Sequence, residues 1–423
     1  MNPHLKGVLL FFSFILLTTG TNKALAAPPP QVSSVTPSSY SILYPGGVQL
    51  DTVKIYERKT ISATIKNTGG NTILSLWFGL DIVNPNGQKI ESTRTPVADS
   101  KLGGVGRIDF GSSQGQNLAP NETRVFTAEY TFAHALSGEA FSAGTYRFIY
   151  SAWAGGYPGQ VGAVRIGNLQ EEPFAVSKTN YPNIKVPILM YHKVGGTSYS
   201  DYWVTTDNFQ AQMKLLKSHG YKTITYDALR NYKLYGTPLP RKPFIVSFDD
   251  AWQNIYLSAK PILDQLGYIG CVSVPTGYIG NSDADRQNNS WDSPDYSIMH
   301  PTNHMIWPEL ASLCGDGWMV AAHSIYHKLR SRHTDASLFS ELTGSRTALY
   351  NNLGVTCNYY CMPYGQIWEP GDFLLLESAG YLGAVWIAGG TENTNTAELY
   401  KLKRINIQGL DNIETFANKL GIH

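Results

Sequence analysis

The most informative stretch of this sequence is Phe244-Ile245-Val246-Ser247-Phe248-Asp249-Asp250. Its first five residues form a short, mostly apolar run, which is typical of a strand that is buried on both faces. Two carboxylates follow directly. Such charges are costly beside a buried strand unless a cation or hydrogen-bond donors lie next to them. Taken alone, Asp249 and Asp250 are also compatible with a solvated turn.

Similar buried runs recur from Val186 onward and alternate with amphipathic helical stretches. Strand–helix alternation of this kind predicts an α/β fold with a parallel sheet, either open or closed into a barrel. The predicted strands are Pro187–Tyr191, Lys222–Tyr226, Phe244–Phe248, Cys271–Pro275, Met319–Ala322, Tyr359–Met362, Leu382–Ile387 and Leu402–Ile407. The predicted helices are Phe209–Ser218, Asn254–Leu266, Trp307–Leu313, Ala336–Leu353 and Phe373–Ser378.

Residues 27–180 have a different pattern, with strand signals and almost no helical period. Apolar residues such as Ile61, Ala63 and Ile65 alternate with polar ones, and turn sequences such as Asn84-Pro85-Asn86-Gly87 separate the runs. This spacing predicts an all-β, immunoglobulin-like sandwich domain. Its role is open between a spacer or docking module and a carbohydrate-binding module. We expect the second domain to cover residues 181–423.

The N-terminus has the pattern of a secretory signal peptide, which we assign to residues 1–26. Lys6 precedes an apolar run from Gly7 to Leu17, and Ala24-Leu25-Ala26 follows as a cleavage motif. An uncleaved N-terminal anchor is the alternative, but the run falls short of the about 20 apolar residues that span a bilayer. No later stretch reaches that length, so we expect no transmembrane segment after signal removal. The expected location is secreted, periplasmic or on the cell envelope.

The composition limits the classes of function. Hydrophobic residues make up 43% of the chain and charged residues 15%, with a formal net charge of +1, which is typical of a globular protein. This balance lacks the basic field that binds nucleic-acid phosphates, so we expect no nucleic-acid partner. Nothing in the composition predicts an oligomeric state.

Two histidines follow another predicted strand. His323 comes directly after Met319–Ala322, and His327 lies four residues further on. If a helical turn begins at His323, this spacing places both imidazoles on one face, where they can chelate a metal ion. One carboxylate with two histidines leaves coordination positions open, as in catalytic rather than structural zinc sites. A second carboxylate would then be available as a base.

Several polar residues share a position at the carboxyl end of a predicted strand. In parallel α/β barrels these strand ends form one face, and active sites are built there. The residues concerned are His192, Asp249, Asp250, His323 and Pro363-Tyr364-Gly365. We therefore expect them to form one candidate site.

From about Val186 onward, the sequence resembles the polysaccharide deacetylases of the NodB-like fold, carbohydrate esterase family four. The motifs that carry the resemblance are Ser247-Phe248-Asp249-Asp250, His323-Ser324-Ile325-Tyr326-His327 and Tyr360-Cys361-Met362-Pro363-Tyr364-Gly365. The opening Pro187-Ile188-Leu189-Met190-Tyr191-His192 is similar to the subgroup that acts on poly-N-acetylglucosamine, in which the catalytic histidine comes early in the chain. The resemblance implies a distorted (β/α) parallel barrel.

The resemblance also implies an activity, namely hydrolysis of the acetamido groups of an N-acetylglucosamine-containing glycan to free amine and acetate, with one divalent metal ion, usually zinc. The implied residues are Asp250, His323 and His327 for the metal, Asp249 as general base, His192 as general acid, and the backbone N–H of Tyr364 for the oxyanion. An acid is required because an amine leaves poorly unless it is protonated. The implied partners are N-acetylated polysaccharides, namely poly-N-acetylglucosamine, chitin-like chains or peptidoglycan.

The sequence departs from the family in its third motif. Many members carry an arginine there that steadies the base, whereas here Cys361-Met362 precedes the proline. Our hypothesis is that Arg404 supplies this charge from another strand.

Other polar features of the C-terminal part are less specific. The four cysteines allow three full pairings, of which Cys314–Cys357 is the one to test first, with free buried thiols as the alternative. The polar insertion Gly277–Met305 is long enough to be a functional loop over a substrate groove, from which Trp291 could contact sugar. Within it, His300 and His304 are a weak candidate for a second metal site.

Two other functions compete with N-deacetylation. An O-acetyl esterase acting on xylan or a similar glycan needs the same parts and less help from the acid. A catalytically silent glycan-binding or export-assembly protein is disfavoured because both aspartates and both motif histidines are intact. Hydrolysis that depends on metal and on Asp249 would separate an enzyme from a binding protein.

Overall fold

The structure is a computed structural model. It describes residues 40–46, 48, 50, 52–88, 107–109, 116–132, 141–156, 162–167, 170–178, 181–196, 201–287, 302–365, 370–394 and 397–422. The predictions for residues 1–26, for Trp291 and for His300 lie outside these ranges. Within them, no helix is both long and apolar enough to cross a bilayer.

The N-terminal part is all-β, as expected, and consists of two sheets. Its strands are β1 (Ile42–Gly46), β2 (Thr52–Lys54), β3 (Arg58–Asn67), β4 (Ile73–Val83), β5 (Arg107–Asp109), β6 (Gln116–Leu118), β7 (Thr123–Thr131), β8 (Gly144–Ala154), β9 (Val164–Ile166) and β10 (Glu171–Ser177). One sheet has the order β1-β3-β7. The other has the order β2-β10-β8-β4-β5, with β6 paired to β4 and β9 to β8. Whether this region is immunoglobulin-like stays a prediction.

Alternating burial explains how the two sheets pack. In β3, the side chains of Ile61, Ala63 and Ile65 are buried, whereas those between them are partly or fully exposed. These three residues join one hydrophobic cluster with residues of β4 and β8 from the other sheet. A strand places successive side chains on opposite faces, so the predicted alternation gives the sheet its apolar face.

The C-terminal part contains a closed barrel. Its strands are β11 (Lys185–Val186), β12 (Ile188–Tyr191), β13 (Lys193–Val194), β14 (Trp203–Val204), β15 (Lys222–Thr223), β16 (Pro243–Phe248), β17 (Cys271–Val274), β18 (Met319–Ala322), β19 (Tyr359–Cys361), β20 (Gly383–Ile387), β21 (Glu392–Asn393) and β22 (Leu402–Asn406). Seven of them pair in the order β12-β22-β20-β19-β18-β17-β16, and β16 pairs with β12 to close the ring. Every pairing in this ring is parallel. The predicted (β/α) parallel barrel is therefore confirmed.

Helices surround this ring. They are α1 (Thr206–Ser218), α2 (Tyr226–Tyr235), α3 (Lys260–Leu266), α4 (Trp307–Gly315), α5 (Asp335–Leu353), α6 (Pro370–Ser378) and α7 (Ile413–Leu420), with a π-helical turn at Ile255–Ala259 before α3. The predicted strand Lys222–Tyr226 is too long, because the Thr225 side chain accepts a hydrogen bond from the N–H of Ala228 and so begins α2. The helices α2 and α7 were not among the predicted elements.

The predicted disulfide Cys314–Cys357 is wrong, since all four cysteines are free. Cys314 lies in the last turn of α4, while the buried thiol of Cys357 donates to the backbone carbonyl of Tyr359 at 3.3 Å. The alternative of free thiols is the one observed.

The two parts of the chain contact each other through the turn between β2 and β3. Tyr56 is 5% exposed and packs within the hydrophobic core of the C-terminal part. Its backbone carbonyl accepts a hydrogen bond from Arg230 of α2 at 3.2 Å. Arg58 donates to the carbonyls of Glu377 and Gly380, at the carboxyl end of α6. This turn therefore inserts into the C-terminal part.

Candidate active site at the carboxyl ends of the barrel strands

The barrel brings the candidate residues to one end of the ring. β12 and β16 pair in parallel with Tyr191 opposite Phe248, so His192 and Asp249 are the next residues along two adjacent strands. The backbone N–H of Asp249 donates to the carbonyl of Tyr191 at 2.9 Å, which continues this pairing. His323 follows β18 in the same direction. The parallel ring therefore explains why residues distant in sequence meet here.

Asp249 is held by two hydrogen bonds from one guanidinium. The distances are 2.7 Å from Arg404 Nη1 to Oδ1 and 2.7 Å from Nη2 to Oδ2. Arg404 is 0% exposed and Asp249 is 2% exposed. Burial raises the pKa of Asp249, but the Arg404 guanidinium outweighs burial and holds the pKa of that carboxyl well below its usual range. Asp249 is therefore ionised at neutral pH.

Asp250 lies against both motif histidines. Its Oδ1 atom is 3.4 Å from Nε2 of His323 and 3.4 Å from Nε2 of His327. The side chains of all three residues are buried. The interpretation of Asp249 and Asp250 as a solvated turn is therefore wrong.

The segment from His323 to His327 is a tight turn rather than the start of a helix. Ser324 and His327 have φ of 62° and 51°, which a regular right-handed helix excludes. The Ser324 hydroxyl accepts a hydrogen bond from the backbone N–H of His327 at 2.7 Å. The helical-turn expectation is therefore wrong, although both imidazoles still meet at Asp250.

The ring nitrogens and charges of this cluster suit a metal ion. His323 Nδ1 lies 2.8 Å from the carbonyl oxygen of Cys361 and donates to it, because a carbonyl only accepts, so Nε2 is the nitrogen that faces Asp250. Burial lowers the pKa of His327 to about 4, so its imidazole is neutral near pH 7. Neutral imidazoles and an ionised carboxylate are the protonation states that ligate metals.

The geometry of the cluster can be tested against a tetrahedral zinc site. Nitrogen and oxygen ligands about 2.1 Å from such an ion lie about 3.4 Å from one another. The two Oδ1–Nε2 distances match this value. Asp250 Oδ1 is also buried without a hydrogen-bond partner among the described residues, which is costly unless a cation accompanies it. The donor set of Asp250, His323 and His327 therefore fits a divalent metal ion.

His192 and Tyr364 complete the predicted set. The ring of His192 lies edge-on to Tyr202 with 4.8 Å between centroids, and burial lowers the pKa of this imidazole. Tyr364 has a left-handed backbone, with φ of 58°, and its ring lies 4.6 Å from that of His327. Its side chain is 52% exposed, so the residue borders the open side of the cluster.

Three further residues contact the site and were not among the predicted site residues. The Cys361 thiol is 3.3 Å from Asp249 Oδ1. Trp252 Nε1 donates to Asp250 Oδ2 at 3.2 Å, and His304 Nδ1 lies 2.8 Å from the backbone carbonyl oxygen of Asp250. Among the residues that the structure describes, His304 belongs to no group that could hold a second metal ion. Only the position of Cys361, inside the third motif, could have identified one of these residues from the sequence.

Comparison with known proteins gives an independent result. The family described as polysaccharide deacetylase matches residues 236–382. A poly-beta-1,6-N-acetyl-D-glucosamine N-deacetylase of Staphylococcus aureus (strain MRSA252) is 27% identical over 223 residues, which cover 47% of this chain and 71% of that protein. The matched family segment contains the first, second and third motifs together.

Two solved structures are also similar. The Streptococcus pyogenes deacetylase PplD in complex with acetate has 21% identity and a TM-score of 0.46, covering 56% of this chain and 99% of that one. A polysaccharide deacetylase from Bacillus cereus has 19% identity and a TM-score of 0.46, covering 90% of this chain and 99% of that one.

The chain carries a polysaccharide deacetylase domain. Proteins of this class are hydrolases that act on the amide bonds of acetylated sugars. The predicted resemblance and the predicted enzyme class are confirmed.

Proposed function

We propose that this protein is an exported, metal-dependent N-deacetylase that hydrolyses the acetamido groups of an N-acetylglucosamine-containing polysaccharide. The observation that carries the proposal is the buried group of Asp250, His323 and His327 beside the ionised Asp249. The leader pattern of residues 1–26 supports export. We place the boundary between the β-rich accessory domain and the deacetylase domain near residue 180, between β10 and β11.

In this proposal, Asp250, His323 and His327 hold one divalent ion, most simply zinc. When bound, the ion supplies Lewis acidity, which polarises the acetyl carbonyl and lowers the pKa of a nearby water molecule. Asp249 accepts the proton of the attacking water. Arg404 keeps Asp249 ionised and fixes both of its oxygens, because a guanidinium matches a carboxylate at two points.

The leaving group needs a proton, and His192 is the residue we assign to this step. It follows the strand adjacent to that of Asp249, so the two residues flank the same space. Burial lowers the pKa of His192, so its protonated form is less populated at neutral pH but gives up its proton more readily to the departing amine. The backbone N–H of Tyr364, in its left-handed conformation, is assigned to the developing oxyanion.

The preferred substrate is poly-β-1,6-N-acetylglucosamine, as in the name of the Staphylococcus aureus relative. Chitin-like chains and peptidoglycan contain the same acetamido group, and acetylated xylan tests the esterase alternative. The mature protein would be assayed for acetate release from all four glycans, as purified, after chelation and after zinc restoration. The expected result is metal-dependent release from the β-1,6-linked chain.

The Asp249→Asn variant separates an enzyme from a binding protein. General-base catalysis contributes about 10²–10⁴-fold, so release should fall by that factor while zinc binding persists. Acetate release from acetylated xylan alone would mean that the protein is an O-acetyl esterase rather than an N-deacetylase. Glycan binding without release from any substrate, in the zinc-loaded protein, would exclude an enzyme of this specificity.

A further inference from the structure

The residues directly after Asp250 are paired with the last residues of the polar insertion. Asp250 and Ala251 have φ of 71° and 51°, a left-handed conformation that costs non-glycine residues free energy. The backbone N–H of Met305 donates to the carbonyl of Ala251 at 2.7 Å, and that of Gln253 to the carbonyl of Asn303 at 2.8 Å. A conformation that is locally unfavourable is therefore maintained by contacts from a distant segment.

Within this pairing, two aromatic side chains hold different atoms of Asp250. His304 Nδ1 lies 2.8 Å from the backbone oxygen of Asp250 and must donate, because a carbonyl only accepts. Trp252 Nε1 donates to the carboxylate atom Oδ2 at 3.2 Å. The two rings stack with 4.3 Å between centroids and 20° between planes. Both side chains are at most 1% exposed, so neither has room to move independently.

The two carboxylate oxygens of Asp250 have different partners. Oδ2 is engaged by the indole, while Oδ1 is the atom that faces Nε2 of both motif histidines. Turning the plane of the carboxylate away from this orientation would break the indole bond. Trp252 therefore fixes the rotation of the carboxylate, and His304 fixes the backbone from which it projects.

His304 is itself anchored at both backbone groups. Its N–H donates to the carbonyl of Gln287 at 2.9 Å, and its carbonyl accepts from Arg286 Nη1 at 3.0 Å. The same guanidinium pairs with both oxygens of Glu309 in α4, at 2.7 and 3.0 Å. The imidazole is thus tied to a rigid element.

We propose that His304 and Trp252 are positioning residues that preorganise Asp250 for metal binding, so that the end of the insertion sets the metal affinity of the barrel. This inference rests on the proposed function, which makes Asp250 a metal ligand. Residues that orient ligands in this way change metal affinity by about 10–100-fold when they are replaced.

The test measures the affinity of the metal-free protein for Zn²⁺ alone, by competition with a chelator. His304→Leu and Trp252→Phe place an apolar side chain at the same position and remove one donor each, so we expect Zn²⁺ affinity to fall by about 10–100-fold in each. His304→Asn places an amide N–H close to the position of Nδ1, so we expect it to restore most of the loss. With saturating Zn²⁺, acetate release should recover in all three variants.

A matched control is present directly after α1. His219 Nδ1 makes a bond of the same kind, 2.9 Å from the carbonyl oxygen of Leu215, away from the site. His219→Leu should leave Zn²⁺ affinity unchanged. The thermal midpoint of each metal-free variant shows whether the fold is intact. If His304→Leu does not fold, Trp252→Phe carries the test.

The outcomes separate this inference from the proposed function. Asp250→Ala should abolish tight Zn²⁺ binding. If Asp250→Ala binds Zn²⁺ as well as the wild type does, the proposed metal site is wrong. If Asp250→Ala loses binding while Trp252→Phe and a folded His304→Leu stay within about twofold of wild type, the inference is overturned and the metal site stands.

Discussion

Arg404 and Asp249 form a two-point ion pair across the strand that carries His192. Arg404 lies on β22 and Asp249 follows β16, and both strands are neighbours of β12. The ion pair therefore lies across the carboxyl end of β12, directly before His192, and it also fixes the orientation of the Asp249 carboxylate. Because both partners are buried, neither can be satisfied by solvent when the other is removed.

Removal of Arg404 should destabilise the protein strongly. Arg404→Met leaves the Asp249 carboxylate buried and unpaired, which typically costs about 3–5 kcal/mol of unfolding free energy. Urea unfolding of the two proteins measures this difference. In the double variant Arg404→Met/Asp249→Asn the charge is gone, so we expect more than half of the stability to return. Equal stability of the single and double variants would contradict a role for the buried charge.

The Arg404→Lys variant tests whether activity requires the two-point orientation of Asp249 as well as a nearby positive charge. A lysine ammonium keeps the positive charge but cannot form two parallel bonds to one carboxylate. We therefore expect activity to fall even where stability is partly kept. Full activity in a folded Arg404→Lys protein would mean that charge, not orientation, is what Asp249 requires.

Metal removal should lower the stability of the wild type but not of Asp250→Ala. A ligand present at one hundred times its Kd stabilises the native state by about 2.7 kcal/mol. The Tm of the wild type should therefore fall on chelation and return with zinc, whereas Asp250→Ala should show one Tm throughout. Tyr350 is exposed, so Tyr350→Ala serves as a control whose Tm should fall on chelation and return with zinc, as in the wild type. A chelator effect of equal size in Asp250→Ala would place the ion elsewhere.

Lys233 lies at the contact between the two parts of the chain and should make the stability of the protein depend on pH. Burial lowers the pKa of Lys233 to about 8, against about 10.4 for an unfolded lysine. Below pH 8 both states bind the proton, and above about 10.4 neither does. Between these values the unfolded state binds more protons, so the contribution of Lys233 to stability rises with pH, by at most about 1.4 kcal/mol per unit.

Comparison with Lys233→Met isolates this group, because other titrating residues are common to both proteins. Urea unfolding at several pH values between 7 and 10 gives the difference in unfolding free energy. We expect the wild type to gain stability relative to the variant as pH rises through this window. A constant difference would show that the pKa of Lys233 is not lowered.

Tyr56 should couple the unfolding of the two parts. Its ring is buried near Tyr400, with 6.4 Å between centroids, so Tyr56→Ala leaves a cavity at the contact. Large-to-small changes of buried aromatic residues cost about 3–5 kcal/mol. Calorimetry should show one transition in the wild type and a lower, broader or divided transition in Tyr56→Ala. An unchanged transition would mean that the two parts unfold independently.

The barrel was predictable because its strands are short, buried runs with polar residues at their ends. Met319–Ala322 was predicted with the observed bounds, and the other strands of the ring differ by one residue at one end. The helix α2 was missed because its buried face includes the polar residue Arg230, which interrupts an apolar pattern. In α7, the apolar residues Ile413, Phe416, Ala417 and Leu420 have helical spacing, so this helix was not predicted although its pattern is present in the sequence.

The candidate site was predictable where the sequence motif lies on a strand end, and not where it depends on a long-range contact. Arg404 was suggested by a charge missing from the third motif, and the structure pairs it with Asp249. His304 was considered only as a weak metal ligand, because its partner is a backbone carbonyl, which no side-chain pattern encodes. The turn at His323–His327 was not predictable from spacing, because two histidines four residues apart fit one face of a helix equally well.

The positive φ angles of the site loops influence which substitutions this protein could accumulate during evolution. Among the residues that the structure describes, eight non-glycine residues have positive φ, and five of them lie in the loops of the candidate site, namely Asp250, Ala251, Ser324, His327 and Tyr364. Conformations of this kind cost of order 1–3 kcal/mol each. Substitutions selected for heat resistance would therefore tend to relax these loops, while those selected for turnover would retain them. In adaptation to a warmer habitat, the compensating changes should accumulate in the sheets and helices remote from the barrel's carboxyl end.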